Sequence, residues 1–144
     1  MIHLMIDGQP VEVEEGTTIL QAAKKACIHI PTLCYHEDLS IKAVCRICVV
    51  EVEGQRLLPT ACSTPVSEGM VVQTASPKVL KARRNILEFI FARHPQNCLV
   101  CPKSGKCDLQ KVAQDLGMHL DIRYDTQIRH QKEDWSSPAI MRNP

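Results

Sequence analysis

Aromatic residues are scarce in this chain: they make up 3% of its 144 residues, although hydrophobic residues make up 44%. A packed interior is therefore feasible, but it has to be built mainly from Ile, Leu, Val and Ala. No stretch approaches the ~18 consecutive apolar residues of a membrane-spanning helix, so we expect no membrane span. The net charge of +1 gives no electrostatic argument for nucleic acid as a partner.

Several functional motifs are missing as well. The chain has no G-x-G-x-x-G loop, so we expect any nicotinamide or flavin to bind elsewhere. No grouping of Ser, Cys or carboxylate residues suggests catalysis, which predicts that the chain has no substrate-converting site of its own. Residues 1–4 lack the basic and apolar segments of a signal peptide, so we expect a cytoplasmic location. In that compartment the eight cysteines stay reduced and can bind metals.

The first half of the chain has the pattern of a small sheet. Alternating apolar residues predict short strands at residues 2–6, 11–13, 48–52, 55–58 and 70–74. Asp7-Gly8 and Glu53-Gly54 are turn sequences, and they predict two hairpins, the second pairing the third strand with the fourth. Thr18 and Gln21 form a capping box for a helix over about residues 18–27. A mixed sheet with one helix across it is expected, in a first domain covering residues 1–75.

The second half has a helical pattern. Ser76-Pro77 is a helix start signal, and the amphipathic period that follows predicts a helix to about Arg93. A short further helix is predicted from Asp108, with Gly117 at the position of a C-terminal cap. We therefore predict an α+β protein whose second, helical domain covers residues 76–120. Residues 121–144 show no period and are expected to be a tail or linker that continues into further domains.

Seven of the eight cysteines fall into two sets. The first set, with gaps of ten, two and thirteen residues, is Cys34, Cys45, Cys48 and Cys62. The second set, with gaps of three, two and five residues, is His94 followed by Cys98, Cys101 and Cys107. Cys27 belongs to neither set, and we interpret it as a buried free cysteine.

The residue types alone leave two kinds of metal site open, because thiolates suit both iron–sulfur clusters and zinc. Plant-type ferredoxins place two close cysteines between two remote ones, but with four residues in the first gap instead of ten. A zinc ribbon could combine the two C-x2-C pairs, yet it would leave half of the candidate ligands unused. The spacing thus favours iron–sulfur clusters, with a zinc-stabilised interaction module as the alternative.

The two ordered motifs, C-x10-C-x2-C-x13-C and then H-x3-C-x2-C-x5-C, resemble the N-terminal region of one family group. Its members are the iron–sulfur large subunit of NADH dehydrogenase (complex I), the diaphorase small subunit of NAD-reducing hydrogenases and the catalytic subunit of [FeFe]-hydrogenases. Some NAD-dependent formate dehydrogenases share it. Residues 45–52 and 94–99 are most similar to the [FeFe]-hydrogenase branch. The sequence departs from the group at Ala43, where a glycine is usual.

The resemblance implies a β-grasp, ferredoxin-like domain followed by a small helical domain. It implies that a [2Fe–2S] cluster is bound by Cys34, Cys45, Cys48 and Cys62. It likewise implies that a [4Fe–4S] cluster is bound by His94, Cys98, Cys101 and Cys107. The expected function is to relay single electrons between a flavin- and NAD(P)-binding subunit and a remote active site, with further iron–sulfur domains or subunits as additional partners.

Overall fold

The computed structural model describes residues 1–95 and 97–118 of the chain. Its strands and helices, in chain order, are β1 (Ile2–Ile6), β2 (Gln9–Val13), α1 (Ile19–Lys25), β3 (Glu51–Val52), β4 (Val71–Gln73), α2 (Pro77–Phe91) and α3 (Asp108–Asp115). A 3₁₀ turn, Cys98–Val100, lies between α2 and α3. The predicted tail at residues 121–144 lies outside the described residues.

The four strands form one mixed sheet in the order β2-β1-β4-β3. The predicted hairpin is present, with β1 antiparallel to β2 around the turn at Asp7-Gly8. β4 lies parallel to β1 and antiparallel to β3, so it joins the two halves of the sheet. The Asp7 carboxylate accepts hydrogen bonds from the backbone N–H of Thr74, at 2.7 Å, and from its hydroxyl. This contact ties the hairpin turn to the end of β4.

The predicted second hairpin is wrong in its pairing. Residues 55–58 form no strand, and Leu57 is 79% exposed. Residues 48–50 pair instead with residues 59–61, where the Ala61 N–H donates to the Cys48 carbonyl at 3.0 Å. Burial favours this register, because it places Ala61 in the core, where it is fully buried.

Helix α1 packs its apolar face on the sheet, as its sequence pattern predicts. The Thr18 hydroxyl accepts from the Gln21 N–H at 3.3 Å, and the Gln21 side chain accepts from the Thr18 N–H at 2.9 Å. The predicted capping box is thus confirmed. The first core is built from the helix, the sheet and the segments around residues 48 and 62, and its fully buried members include Ile6, Ile19, Ala22, Ala23, Val50, Ala61 and Val72.

The end of α1 contradicts the interpretation of Cys27 as a buried cysteine, because Cys27 is exposed. Its backbone is left-handed, with a φ of 58°. The Ile28 N–H donates to the Ala23 carbonyl at 2.8 Å, and the Cys27 N–H donates to the Lys24 carbonyl at 3.1 Å. This is the Schellman cap, in which the left-handed position is usually glycine.

We expect Cys27→Gly to raise the free energy of unfolding by roughly 0.5–1 kcal/mol, since glycine removes the strain of a left-handed L-residue but also gains freedom in the unfolded chain. Cys27→Ala is the matched control, because alanine removes the thiol and keeps the strain. Anaerobic denaturant unfolding followed by circular dichroism measures both. Equal changes in the two variants would contradict the assignment of strain to Cys27.

Helix α2 begins as its start signal predicts. The Ser76 hydroxyl accepts from the Val79 N–H at 3.3 Å, and Pro77 is the first helical residue. The helix ends at Phe91, two residues before the predicted end at Arg93. α3 ends in a second Schellman cap, with Gly117 at the left-handed position as predicted.

The two helices form a second core with a residue from the first half of the chain. Its buried members are Ile47, Leu87, Phe91, Val112, Ala113 and Leu116. Ile47 is fully buried here although it lies in the cysteine-containing loop before β3. The second core therefore holds that loop in place. Within the described part of the chain, no helix is long and apolar enough to cross a membrane.

Candidate metal centres

The four cysteines of the first set lie on loops at one end of the first core. Cys34 follows α1, Cys45 and Cys48 lie before β3, and Cys62 follows the segment that pairs with residues 48–50. Cys48 and Cys62 are 2% and 1% exposed, Cys45 is half-buried and Cys34 is exposed. The set therefore runs from the protein interior to its surface.

The structure places these four thiols close enough to affect one another's pKa, although no three of them, all of which lie among the described residues, are arranged to hold a single metal ion. The pKa of Cys62 is raised to about 12, first by burial, then by a hydrogen bond with Cys48, and also by the charges of Cys48, Cys34 and Cys45. Such mutual effects require the four sulfur atoms to lie within a short electrostatic range of one another. Thiolates gathered in this way need a cation between them, which a metal centre supplies.

Backbone N–H groups affect the pKa of the two more exposed thiols, Cys34 and Cys45. Burial acts to raise the pKa of Cys34, but the pKa is lowered because hydrogen bonds from the Cys45 N–H, the Cys45 thiol and the Val44 N–H together outweigh burial. Burial raises the pKa of Cys45, although the N–H groups of Ile47 and Leu33 act to lower it. N–H groups directed at sulfur stabilise negative charge on an iron–sulfur cluster and tune its potential. The donors around this set therefore fit such a cluster.

The loop between Cys34 and Cys48 turns through two left-handed residues. Ala43 has a φ of 51° and Arg46 a φ of 56°. Ala43, where the resemblance leads us to expect glycine, adopts a conformation that glycine reaches without strain. Alanine at this position therefore carries backbone strain that glycine would not carry.

Two consecutive residues of this loop pack in different hydrophobic cores. Ile47 packs in the second core, whereas Cys48 packs in the first. Cys45 lies against the second core together with Leu33. The loop is therefore clamped between the two cores, which fixes the positions of its cysteines.

The second set lies on the segment that joins α2 to α3. His94 follows α2, and its ring stands edge-on to Phe91, with ring centroids 6.5 Å apart at an angle of 75°. Cys98 begins the 3₁₀ turn, Cys101 ends it and Cys107 is the N-cap of α3. His94 and Cys101 are exposed, and the other two cysteines are partly buried.

The structure does not group these four residues around one metal position. In residues 1–95 and 97–118, no three His, Cys, Asp or Glu side chains are arranged to hold a single metal ion. Three thiols and an imidazole remain a donor set that suits iron.

One residue near the first set was missed in the sequence analysis. Arg83 lies on the apolar face of α2 and is 4% exposed, and its Nη2 donates to the Val49 carbonyl at 2.9 Å. Its pKa is lowered to about 10 by burial, while the charges of Cys48 and Asp7 act to raise it. The signal was visible, since a cation among the apolar positions of an amphipathic helix is unusual.

Two family models match the chain in succession. A family of 2Fe-2S iron–sulfur cluster binding domains matches residues 1–77. The iron–sulfur binding region of NADH-ubiquinone oxidoreductase-G, a 4Fe-4S region, matches residues 83–120. The predicted cofactors, one [2Fe–2S] and one [4Fe–4S] cluster, are confirmed by these matches.

Curated relatives include hydrogenase and dehydrogenase subunits. The chain is 48% identical over 145 residues to the NADP-reducing hydrogenase subunit HndD of Solidesulfovibrio fructosivorans, covering 97% of this chain and 25% of that protein. It is 44% identical over 140 residues to the NADH-quinone oxidoreductase G subunit of Rickettsia bellii (strain RML369-C), covering 97% of this chain and 20% of that protein. The chain thus spans a quarter or less of the length of these relatives.

A solved structure supports the fold. The NAD+-reducing [NiFe]-hydrogenase in its H2-reduced state superposes with a TM-score of 0.81 at 33% identity, over 95% of this chain and 57% of that chain. The predicted α+β class, a ferredoxin-like domain followed by a small iron–sulfur region, is thereby confirmed, as is the predicted resemblance. On the match over residues 1–77, the chain belongs to the family of 2Fe-2S iron–sulfur cluster binding domains.

Proposed function

We propose that this chain is the electron-relay segment of an NAD(P)-linked oxidoreductase of the [FeFe]-hydrogenase type. The observation that carries the proposal is the proximity of four thiols on loops beside the first core, with Cys48 and Cys62 buried and Cys34 exposed. The loop that carries Cys45 and Cys48 is held between the two cores. A relay needs a centre that is held rigidly yet lies close to the surface, so that electrons can enter and leave.

The ligand sets are proposals in the same sense. For the [2Fe–2S] cluster we propose Cys34, Cys45, Cys48 and Cys62. For the [4Fe–4S] cluster we propose His94, Cys98, Cys101 and Cys107. The first set is supported by the mutual effects of its thiols on their pKa values. The second is supported by its order along the chain and by its place between α2 and α3.

The residues of the chain would support electron transfer by a bound cluster in two ways. Iron–sulfur clusters supply transfer of one electron at a time. The backbone N–H groups around Cys34 and Cys45 stabilise negative charge on sulfur, and burial of Cys48 and Cys62 excludes water from the inner side. Because NAD(P)H delivers a hydride, a flavin in a partner subunit has to separate its two electrons before they reach this chain.

The remaining expectations about organisation belong to the same proposal. We assign residues 1–75 to the [2Fe–2S] domain and residues 76–120 to the [4Fe–4S] domain, with residues 121–144 leading into further iron–sulfur domains. The proposed location is the cytoplasm, where the partner flavin- and NAD(P)-binding subunit would meet the chain.

A second candidate is the same relay role in an NADH dehydrogenase. The 44% identity to an NADH-quinone oxidoreductase and the NADH-ubiquinone oxidoreductase-G region matched at residues 83–120 favour it. The sequence that follows residue 144 separates the two candidates. A C-x2-C-x2-C-x3-C-P run just downstream would favour a hydrogenase or formate dehydrogenase.

The relay role is tested by reduction with NADH and with NADPH in the presence and absence of the flavin subunit from the same complex. We expect electron paramagnetic resonance signals of both clusters to appear only when the flavin subunit is present. Dithionite should reduce the clusters in either case, which controls for their integrity. Equal reduction by NAD(P)H without the flavin subunit would contradict the proposed partner.

A further inference from the structure

Arg83 is a buried cation without an acidic partner in direct contact among the described residues. Its side chain is 4% exposed, and one nitrogen, Nη2, donates to the Val49 carbonyl at 2.9 Å. The Nε of the same guanidinium is buried and has no hydrogen-bond partner in the part of the chain that the structure describes. A charge in such a place costs free energy unless a charge of opposite sign lies nearby. The cost of burying Arg83 therefore points to an anionic neighbour.

Two ionisable groups, Cys48 and Asp7, act on Arg83 through space. Burial lowers the pKa of Arg83 to about 10, and the charges of Cys48 and Asp7 act in the opposite direction. Arg83 therefore stays cationic at neutral pH. The Asp7 carboxylate is already engaged by the backbone N–H and the hydroxyl of Thr74. This leaves the side of Cys48, where the proposed cluster would lie: Arg83 binds the carbonyl of Val49, the residue next to Cys48.

We infer that Arg83 raises the reduction potential of the [2Fe–2S] cluster. Its fixed positive charge balances the electron that the cluster takes up. The inference rests on the proposed ligand set, in which Cys48 binds that cluster. One-electron reduction turns one ferric ion into a ferrous ion and adds one negative charge to a centre that is already anionic. A cation fixed in a site of low dielectric constant favours that state more than an exposed cation does.

The position of Arg83 predicts that its effect is selective. Arg83 lies in the first half of α2, whereas His94 follows the end of that helix. The eight residues from Arg83 to the end of the helix at Phe91 correspond to roughly 12 Å along the axis, and His94 lies beyond that end. Arg83 therefore acts on the first set of ligands much more strongly than on the second, and the [4Fe–4S] cluster serves as an internal reference.

A redox titration followed by electron paramagnetic resonance tests the inference in the anaerobically purified holoprotein, with dithionite as the electron donor. Arg83→Met and Arg83→Gln remove the charge, and glutamine keeps a hydrogen-bond donor. Arg83→Lys keeps the charge. Lys81→Met is the matched control, because it removes an exposed cation from the same helix.

In both neutral variants we expect the ratio of reduced to oxidised [2Fe–2S] cluster at a fixed potential to fall on the order of tenfold. For a one-electron couple this is a shift of about 59 mV to lower potential. Arg83→Lys should restore the potential, and Lys81→Met should leave it unchanged. The [4Fe–4S] potential should stay constant in all four variants.

An unchanged [2Fe–2S] potential in either neutral variant would overturn the inference and leave Arg83 as a structural link between α2 and the loop. Loss of the cluster in both neutral variants, with retention in Arg83→Lys, would also count against it, since the charge would then serve assembly. Absence of a [2Fe–2S] signal from the unsubstituted protein would instead contradict the proposed function, so the two failures are distinguishable.

Discussion

Replacing Cys48 with alanine is expected to abolish the [2Fe–2S] signal and to leave the [4Fe–4S] signal in place. Cys48 is 2% exposed and belongs to the first core, so no solvent molecule can readily replace its sulfur as a ligand. Cluster binding is coupled to folding, and we therefore expect the free energy of unfolding to fall by more than about 4 kcal/mol, the range reached when a bound metal is lost. Anaerobic absorption spectra, electron paramagnetic resonance and thermal unfolding measure the two effects.

Cys27→Ala is the matched control for this substitution. It removes a thiol from an exposed position outside both sets, so both clusters and their spectra should remain. Two results would contradict the assignment of the cysteines as ligands or non-ligands. One is retention of the [2Fe–2S] signal in Cys48→Ala, and the other is loss of either signal in Cys27→Ala.

The second large effect is expected at His94. A neutral imidazole in place of a thiolate leaves the [4Fe–4S] cluster with one unit less negative charge, so the cluster accepts an electron more readily. Histidine ligation raises the potential of Rieske centres for a related reason. His94→Cys should therefore lower the [4Fe–4S] potential and leave the [2Fe–2S] potential nearly unchanged. His94→Ala should lose the [4Fe–4S] cluster or open one iron to solvent.

The surroundings of His94 allow the loss of a ligand to be separated from a loss of packing. The side chain is exposed, and its aromatic contact is the edge-on one with Phe91, so substitution removes little packing. His3→Ala, at an exposed position on β1, is a control that should alter neither cluster. A redox titration followed by electron paramagnetic resonance measures the potentials and signals of both clusters in all of these variants. An unchanged [4Fe–4S] potential and signal in His94→Ala would mean that His94 only ends the helix, and the fourth ligand would have to be sought elsewhere.

Local features of the fold could be predicted from the sequence because their causes are local. The capping box at Thr18, the start of α2 at Ser76-Pro77 and the cap at Gly117 depend on hydrogen bonds within a few residues. The hairpin turn at Asp7-Gly8 is of the same kind. Each of these features is determined by the residue types of a short stretch of sequence.

Features that depend on distant partners could not be predicted in this way. The partner of residues 48–50 is decided by which residues reach the core, and this selects the segment that begins at Pro59 over the one after the Gly54 turn. Cys27 was expected to be buried as cysteines usually are, but the cap geometry at the end of α1 places it in solvent.

In the candidate sites, too, local features could be predicted from the sequence and features that depend on distant residues could not. Spacing along the chain was enough to sort the cysteines into two sets, and the family matches agree with two successive iron–sulfur regions. The clamping of the first loop through Ile47 and the buried charge of Arg83 depend on contacts between residues more than thirty positions apart. Only the folded structure brings these residues together.

A metal analysis tests most directly whether one chain holds two different iron–sulfur clusters. The chain would be purified without oxygen, reconstituted with iron and sulfide, and assayed for iron, acid-labile sulfide and zinc. We predict about six iron atoms and about six sulfides per chain, two of each from one cluster and four from the other. Zinc in place of iron, or iron that does not exceed the content of a single cluster, would contradict the claim.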